Sequence, residues 1–140
     1  MDPEQTKIKT FMTTMGQPTP TCPHVPGLEV QNLRLSLITE ELEELVEGFA
    51  NEDIVEIADA ITDLLYVVKG AAIDCGLDLE PLFEEVHRSN MTKIGSKFRS
   101  DGKIMKSASF EEPKLLEIIQ SQIRANCEEV KDSDNLYAEE

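Results

Sequence analysis

The amino-acid sequence predicts an all-α domain, and three observations support that fold class. Apolar residues recur at steps of three and four over two long segments, which is the period of an amphipathic helix. Residues that start and stop helices bracket these segments. The chain has 140 residues, of which 40% are hydrophobic, so it has the size of one domain with one core.

The first 27 residues predict a short helix followed by an extended connector. Residues 5–15 carry apolar side chains at helical spacing: Ile8, Phe11, Met12 and Met15. Residues 17–27 contain four prolines. Because proline lacks an amide donor and restricts the residue before it, this stretch does not continue a helix. The main domain is therefore predicted to span residues 28–127.

The next two segments predict a helical hairpin. One runs from about residue 28 to Phe49, and the other runs from Ile54 to about Cys75, where Gly76 is suited to end a helix. Their periodic apolar positions are Leu35, Ile38, Leu42, Leu45 and Phe49, then Ile54, Ile57, Ala58, Ile61, Leu64, Leu65 and Val68. A turn near residue 50 joins two antiparallel helices.

Shorter elements are predicted after the hairpin. A third helix over residues 78–89 would begin at an aspartate cap. The Asp101-Gly102 pair is typical of a small hairpin or a structured loop. A last helix is predicted over residues 113–127. Residues 128–140 contain six acids and are predicted to be a solvated or disordered tail.

The overall charge excludes two classes of partner. Thirteen Lys and Arg against 28 Asp and Glu give a formal net charge of −15, which is unsuited to binding nucleic acid or an anionic membrane. The longest apolar run, Leu64–Val68, is far shorter than the ~20 residues that cross a bilayer. The acidic N-terminus has the features of neither a secretory signal nor a transit peptide, so we expect a cytoplasmic protein.

The three cysteines predict no covalent or metal framework. Cys22, Cys75 and Cys127 are odd in number and widely spaced, and they form no Cys-x-x-Cys motif. That spacing suggests neither a disulfide framework nor a zinc site. We therefore expect ordinary reduced thiols.

The negative charge is concentrated on the predicted hairpin. Between Leu35 and Val68 there are ten acids and no Lys or Arg: Glu40, Glu41, Glu43, Glu44, Glu47, Glu52, Asp53, Glu56, Asp59 and Asp63. A solvated helix usually interleaves basic residues at i+4, where each pair adds a few tenths of a kcal/mol. If the turn is centred at residue 50, Glu41 and Asp59 lie at the same distance from the turn, and so do Glu44 and Glu56. The four carboxylates then share one level of the hairpin.

Four carboxylates at one level favour a bound cation. Two ionised carboxylates ~4 Å apart repel by ~4 kcal/mol at an effective dielectric of ~20. Oxygen ligands without a nearby His or Cys favour Mg²⁺, with Mn²⁺ or Ca²⁺ as alternatives, over zinc or copper. The other interpretation is a plain solvated acidic surface, which the matched heights and the missing basic partners disfavour.

Basic residues concentrate in residues 88–106, which we call the basic segment. It holds six of the 13 Lys and Arg against a single acid: Arg88, Lys93, Lys97, Arg99, Lys103 and Lys106. A Mg²⁺-bound polyphosphate requires both a metal site and such a segment, because Lys or Arg neutralise the phosphate charge that the cation leaves. The alternative is that these residues merely offset the acidic total.

Two motifs resemble the all-α nucleoside triphosphate pyrophosphohydrolases, the MazG-like superfamily. Glu40-Glu41-Leu42-Glu43-Glu44, followed by Glu56-Ile57-Ala58-Asp59, resembles their EExxE…ExxD signature. Residues 87–93 and 101–103 are similar to elements of the phosphoribosyl-ATP pyrophosphohydrolase-like branch. The resemblance covers residues 33–106. It implies metal-dependent cleavage of an NTP, a dNTP or a phosphoribosyl-ATP-like nucleotide between the α and β phosphates, which yields a monophosphate and pyrophosphate.

The resemblance implies a role for each matched residue. Mg²⁺, or Mn²⁺, would be held by Glu41, Glu44, Glu56 and Asp59. Glu40 would orient or deprotonate the attacking water. Asp63 would orient a metal ligand or contact the ribose. The nucleotide and its phosphates would be bound by Arg88, Asn90, Lys93, Lys103 and Lys106.

The resemblance also implies a four-helix core completed by a second chain, hence a homodimer that could pair into a homotetramer. The sequence is also compatible with two alternatives. Glu84 and His87 have the Glu-x-x-His spacing of di-iron carboxylate proteins, but one such step leaves the four acids of the hairpin unexplained. The non-enzymatic alternative is an acidic helical adaptor, or a protein that binds metal or nucleotide without turnover.

Overall fold

The computed structural model describes residues 1–127, which form five helices. These are α1 (Pro3–Thr14), α2 (Leu28–Ala50), α3 (Ile54–Asp74), α4 (Leu79–Met91) and α5 (Leu115–Asn126). The extended pairing found in this part of the chain is one isolated antiparallel bridge, so the all-α fold class is confirmed. None of the described helices is long and apolar enough to cross a bilayer. The predicted tail, residues 128–140, lies outside the described residues.

Aspartates start three of the helices. Asp2 accepts a hydrogen bond from an amide of the first turn of α1, which explains why this helix begins at Pro3 rather than at residue 5. Asp53 caps α3 in the same way, and Asp78 caps α4 as predicted. Each of these three helices therefore begins at a residue that its neighbours in the sequence determine.

The predicted antiparallel hairpin consists of α2 and α3, and its turn occupies residues 51–53. Gly48 lies so close to Ile57 that an added Cβ would be 3.0 Å from the Ile57 amide nitrogen. Further along, the guanidinium of Arg34 lies over Gly70. The midpoints of the two pairs lie at residue 52 and between residues 52 and 53, so the hairpin is centred near residue 52 and not at residue 50. When the centre of an antiparallel hairpin shifts by two residues, each residue of one helix faces a residue four positions further along the other helix. Four residues are about one helical turn.

The most deeply buried cluster joins α1 to α3. Ile8 and Met12 of α1 pack against Ile73 of α3, and all three side chains are almost fully buried. Gln5 is also fully buried, and its amide donates a 2.7 Å hydrogen bond to the carbonyl of Leu77. The polar group is thus satisfied, as burial requires. These contacts fix the position of α1 along α3.

The connector between α1 and α2 passes over the end of α3 and is tied to α5. Gly76 has a positive φ of 68° after α3, and a Cβ there would clash with the carbonyl of Cys22. Cys22 forms a disulfide with Cys127, 105 residues later, with the two Cα atoms 5.0 Å apart. The prediction of three reduced thiols is therefore wrong, and Cys75 is the one free cysteine of the described residues. The folded connector, not any sequence spacing, brings the two sulfurs together.

Candidate metal and nucleotide site

Three carboxylates from α2 and α3 form a group that we call the acidic cluster. It consists of Glu41 and Glu44, one turn apart on α2, and of Asp63 on α3. Each residue offers an oxygen, and these oxygens lie within 4.8 Å of one another. Glu41 and Asp63 face each other because the hairpin is centred on residue 52, midway between them in sequence. Both are half-buried, whereas Glu44 is exposed.

The electrostatic strain of the acidic cluster is concentrated on Glu41. Its Oε2 atom is buried and has no hydrogen-bond partner within residues 1–127. Loss of solvation raises the pKa of Glu41, and the charges of Glu44, Asp63 and Asp59 raise this pKa further. Within the same residues, none of the ion pairs involves a member of the cluster. A buried carboxylate oxygen needs a proton or a cation, so the arrangement fits a metal site.

The other two predicted metal ligands lie beside the acidic cluster. Asp59 is exposed one turn before Asp63 on α3, and its charge acts on Glu41. Glu56 is exposed next to the turn, where it accepts a 3.0 Å hydrogen bond from the side chain of Asn51. The structure therefore places Asp63, predicted to orient a ligand or contact the ribose, in the position facing Glu41. It places Asp59 one turn away and Glu56 apart from the group.

The chemistry of the acidic cluster suits a hard divalent cation. Its donors are all carboxylate oxygens, which Mg²⁺ and Mn²⁺ accept and which zinc or copper sites rarely use alone. It is also the one group of three or more His, Cys, Asp or Glu side chains with converging ligand atoms in the described part of the chain. His87 belongs to no such group there, so the di-iron alternative gains no support.

Glu40, the predicted base, lies on the open side of α2. It is exposed, and with Glu44 it lines an open cavity of about 640 Å³ along this helix, which we call the α2 cavity. That volume is within the ~300–1,000 Å³ range of small-molecule sites. Glu40 is therefore accessible beside the acidic cluster.

Ion pairs hold the start of the basic segment. Arg88 donates hydrogen bonds to Glu85 at 2.8 Å and to Glu111 at 2.7 Å. The guanidinium of Arg88, with a further hydrogen bond from the Lys114 amide, lowers the pKa of Glu85 to about 2. Arg88 was predicted to bind phosphate, and in the structure it joins the end of α4 to the residues before α5.

Two of the predicted nucleotide-binding lysines also have partners, either in the basic segment or a few residues after it. Lys93 donates to the side chain of Asn90 at 2.8 Å, and its ammonium lies 5.5 Å from the centre of the Phe110 ring. Lys106 pairs with Glu112 at 2.7 Å and lies 4.9 Å from the same ring. These contacts order the segment around Phe110.

Lys103 is differently placed. The bridge between Phe98 and Ile104 closes a small hairpin around the Asp101-Gly102 turn, as predicted. The Lys103 amide donates to the Asp101 carboxylate, but its exposed ammonium forms no hydrogen bond or ion pair within residues 1–127. Of the predicted basic phosphate ligands, Lys103 is therefore the one whose charge has no partner in the described residues.

The acid-bearing helical hairpin defines the class of the all-α, MazG-like proteins. Within that class, the chain belongs to the phosphoribosyl-ATP pyrophosphohydrolase family, whose sequence profile matches residues 8–90. The match confirms the resemblance and extends it to α1, which lies before the predicted start at residue 33. It ends within the basic segment. Membership implies a pyrophosphohydrolase that acts on a nucleotide. A search of curated proteins found no match.

Proposed function

We propose that this chain is a Mg²⁺-dependent pyrophosphohydrolase that cleaves an NTP, a dNTP or a phosphoribosyl-ATP-like nucleotide between the α and β phosphates, with Mn²⁺ as a substitute metal. One observation carries the proposal: the buried Oε2 of Glu41, which has no hydrogen-bond partner in residues 1–127, lies among two further carboxylates. An all-oxygen set favours these cations. The family match supports the reaction class.

The acidic cluster would hold the cation through Glu41, Glu44 and Asp63. Asp59, one turn from Asp63, is the next carboxylate in line, and Glu56 remains a separate candidate at the turn. Bound Mg²⁺ supplies Lewis acidity and charge neutralisation at the phosphate oxygens. Ligation would also offset the burial and the neighbouring negative charges that raise the pKa of Glu41.

Glu40 would act as the general base, and Lys103 would bind phosphate. In the proposed step, the oxygen of a water molecule bonds to phosphorus while the P–O bond of the α–β bridge breaks. One proton of the water passes to Glu40, and the bridging oxygen departs with its electron pair. The products are the nucleoside monophosphate and pyrophosphate. Glu40 suits this role because it is exposed in the α2 cavity next to the acidic cluster.

A second copy of the chain would complete the site. The described residues that line the α2 cavity all come from α2, so the side of the cavity away from this helix is open to a second molecule. Large apolar side chains of α2 and α3 are 50–62% exposed: Leu35, Leu42, Val46, Phe49 and Ile61. Fully burying such a side chain contributes ~1.5–3 kcal/mol. A homodimer with a four-helix core would cover these side chains. Light scattering should therefore give the mass of two chains, or of four if dimers pair, and Val46→Lys should give one.

Turnover of a nucleotide panel tests the proposed activity. NTPs, dNTPs and phosphoribosyl-ATP are incubated with Mg²⁺ or Mn²⁺, and pyrophosphate release is measured. At least one substrate should be hydrolysed, and Glu41→Gln and Asp63→Asn should each abolish the reaction. Glu29→Gln is the matched control, because Glu29 is an exposed acid of α2 that lies outside both the acidic cluster and the α2 cavity.

Two outcomes would contradict the proposal. Turnover that survives Glu41→Gln and Asp63→Asn would place the reaction elsewhere. Absence of turnover on every nucleotide would favour the acidic helical adaptor. Glu56→Gln tests whether the carboxylate near the turn also binds the metal. We expect it to lose less activity than Glu41→Gln or Asp63→Asn, because the Glu56 carboxylate already accepts a hydrogen bond from Asn51.

A further inference from the structure

A small cavity lies between α1 and α3, and we call it the α1–α3 pocket. Its volume is about 190 Å³, and its walls are almost entirely apolar. The residues that line it include Lys7 and Ile8 of α1 and Leu65 and Tyr66 of α3. The volume is below the ~300–1,000 Å³ of a site that takes a whole drug-sized ligand, so the pocket suits a single flat ring system.

The α1–α3 pocket adjoins the acidic cluster on the surface of α3. Thr62, which lines the pocket, precedes Asp63 of the cluster directly, and Tyr66 follows Asp63 by three residues. Residues three apart on a helix are surface neighbours, with their Cβ atoms about 5–6 Å apart. Asp63 meets Glu41 of α2, whereas Thr62 and Tyr66 line the pocket together with residues of α1. The α1–α3 pocket and the acidic cluster therefore share a boundary on α3, where Thr62 and Tyr66 flank Asp63.

Tyr66 offers both an aromatic surface and a polar group at this place. Its ring meets Phe11 edge to face, with the centroids 6.0 Å apart and the planes at 75°. Both rings are partly exposed, Tyr66 by 40% and Phe11 by 50%. The Tyr66 hydroxyl forms no hydrogen bond within residues 1–127, so it is free to meet the polar edge of a ligand.

Ion pairs between α1 and α3 hold one end of the α1–α3 pocket. The Lys69 ammonium pairs with Glu4 and with Asp2 at the start of α1, and its side chain is only 13% exposed. Two partners across the two helices hold α1 in position against α3. Lys7, in contrast, also lines the pocket but is exposed and forms no ion pair in the described residues. A rigid apolar slot with an exposed donor among its lining residues is typical of recognition of a planar, hydrogen-bonding ring.

We propose that the α1–α3 pocket binds the nucleobase of the nucleotide whose phosphates lie at the acidic cluster. Tyr66 would stack on the base, Ile8 and Leu65 would enclose it, and Lys7 would donate to its ring nitrogens or carbonyl oxygens. This inference rests on the proposed function, because the cluster provides the phosphate position. It makes Tyr66 and Lys7 residues that determine base preference.

Binding of bare nucleosides tests the pocket without hydrolysis. The full-length, metal-free protein is titrated with adenosine, guanosine, cytidine, uridine and thymidine while the methyl NMR signals of Ile8, Thr62 and Leu65 are followed. At least one nucleoside should shift these signals. Tyr66→Leu should weaken its binding by about 5- to 150-fold, the equivalent of the ~1–3 kcal/mol that base stacking on an aromatic ring contributes.

Two further variants separate stacking from general effects. Tyr66→Phe keeps the ring and should lose less affinity than Tyr66→Leu. Phe83→Leu is the matched control, because Phe83 is an aromatic residue of α4 that is 69% exposed and outside the pocket. It should bind nucleosides like the wild type. If Tyr66→Leu does not fold, the nucleoside titrations of the wild type and of Tyr66→Phe still test whether the pocket binds a base.

The outcomes distinguish the pocket from the proposed activity. Nucleoside shifts at the pocket in a protein that hydrolyses no nucleotide would support the pocket and refute the activity. Hydrolysis without any nucleoside shift at these methyl groups, and with an unchanged KM in Tyr66→Leu, would overturn the pocket alone. Methyl shifts that follow protein concentration and not nucleoside would assign the pocket to contacts with a second copy, which also overturns the inference.

Discussion

Replacing Glu41 by Gln should stabilise the metal-free protein while removing its response to metal. The substitution keeps the size of the side chain and removes one charge. Cluster oxygens lie within 4.8 Å of one another. Two unit charges at that distance repel by about 3.5 kcal/mol at an effective dielectric of ~20 and by about 0.9 kcal/mol in bulk water. Because Glu44 is exposed, solvent screening brings the expected gain toward the lower value, ~1 kcal/mol.

The pH dependence of stability provides a second readout. Burial, followed by the charges of Glu44 and Asp63, raises the pKa of Glu41 above its ordinary value of 4.5. The folded protein then binds this proton more tightly than the unfolded chain does. The contribution of Glu41 to the free energy of unfolding is therefore fully present below about pH 4.5 and is lost as the pH rises through the raised pKa. Glu41→Gln should lack this loss.

Chemical unfolding followed by circular dichroism, with and without Mg²⁺, measures both effects. Wild-type protein should gain stability with Mg²⁺ according to ligand linkage, and Glu41→Gln should not. Without metal, Glu41→Gln should unfold at a higher denaturant concentration than the wild type. Glu43→Gln, which alters an exposed acid of α2 outside the acidic cluster, should change neither quantity. A metal-free Glu41→Gln that is less stable than the wild type, or that Mg²⁺ stabilises equally, would refute the reasoning.

Three further predictions concern the disulfide and the basic segment. Cys127→Ser opens the link to Cys22, and since a closed loop of ~100 residues corresponds to about 4.7 kcal/mol in the chain-entropy model, the denaturant midpoint should fall markedly; an unchanged midpoint would contradict this. Arg88 holds the pKa of Glu85 at about 2, so this pair stabilises the fold above about pH 4.5, and the stability is lost as the pH falls through about 2. The free energy of unfolding of Glu85→Gln should therefore fall less than that of the wild type as the pH drops below 4.5, and an identical pH dependence in the two proteins would count against the pair. Lys103→Ala should raise KM for the nucleotide with little change in kcat, and an unaltered KM would exclude Lys103 from phosphate binding.

The helices were predictable because local chemistry determines them. Apolar periodicity identified α2 and α3, and the Asp78 cap and Gly76 marked the start of α4 and the end of α3. The start of α1 was missed by two residues because Asp2 and Pro3 form a cap and first turn outside the apolar pattern. Such signals act within one turn, so sequence reasoning can use them directly.

The membership of the acidic cluster was harder to predict, because it depends on the centre of the turn. A turn at residue 50 pairs Glu41 with Asp59, whereas the observed turn over residues 51–53 places Asp63 opposite Glu41. Glu52 adopts a left-handed φ of 51°, a conformation that is uncommon for a residue other than glycine. The local sequence does not indicate that conformation, so the shift of one helical turn became visible only in the fold.

Contacts between distant segments also lay beyond the sequence. Cys22 and Cys127 meet because the connector crosses the end of α3, and no motif indicates a pairing over 105 residues. Arg88 looked like a phosphate ligand because it begins a basic run, yet Glu85 and Glu111 hold its guanidinium. Charge counts along a sequence cannot distinguish an accessible basic residue from a paired one. Tertiary packing makes that distinction.

The position of a bound Mn²⁺ ion tests the metal site most directly. A crystal grown with Mn²⁺ and a slowly hydrolysed nucleotide analogue, measured at the manganese absorption edge, locates the ion independently of any assay. We predict an anomalous peak bounded by carboxylate oxygens of Glu41, Glu44 and Asp63, next to the phosphates of the analogue. A peak elsewhere, with the nucleotide bound and these three carboxylates in contact with no metal, would contradict it.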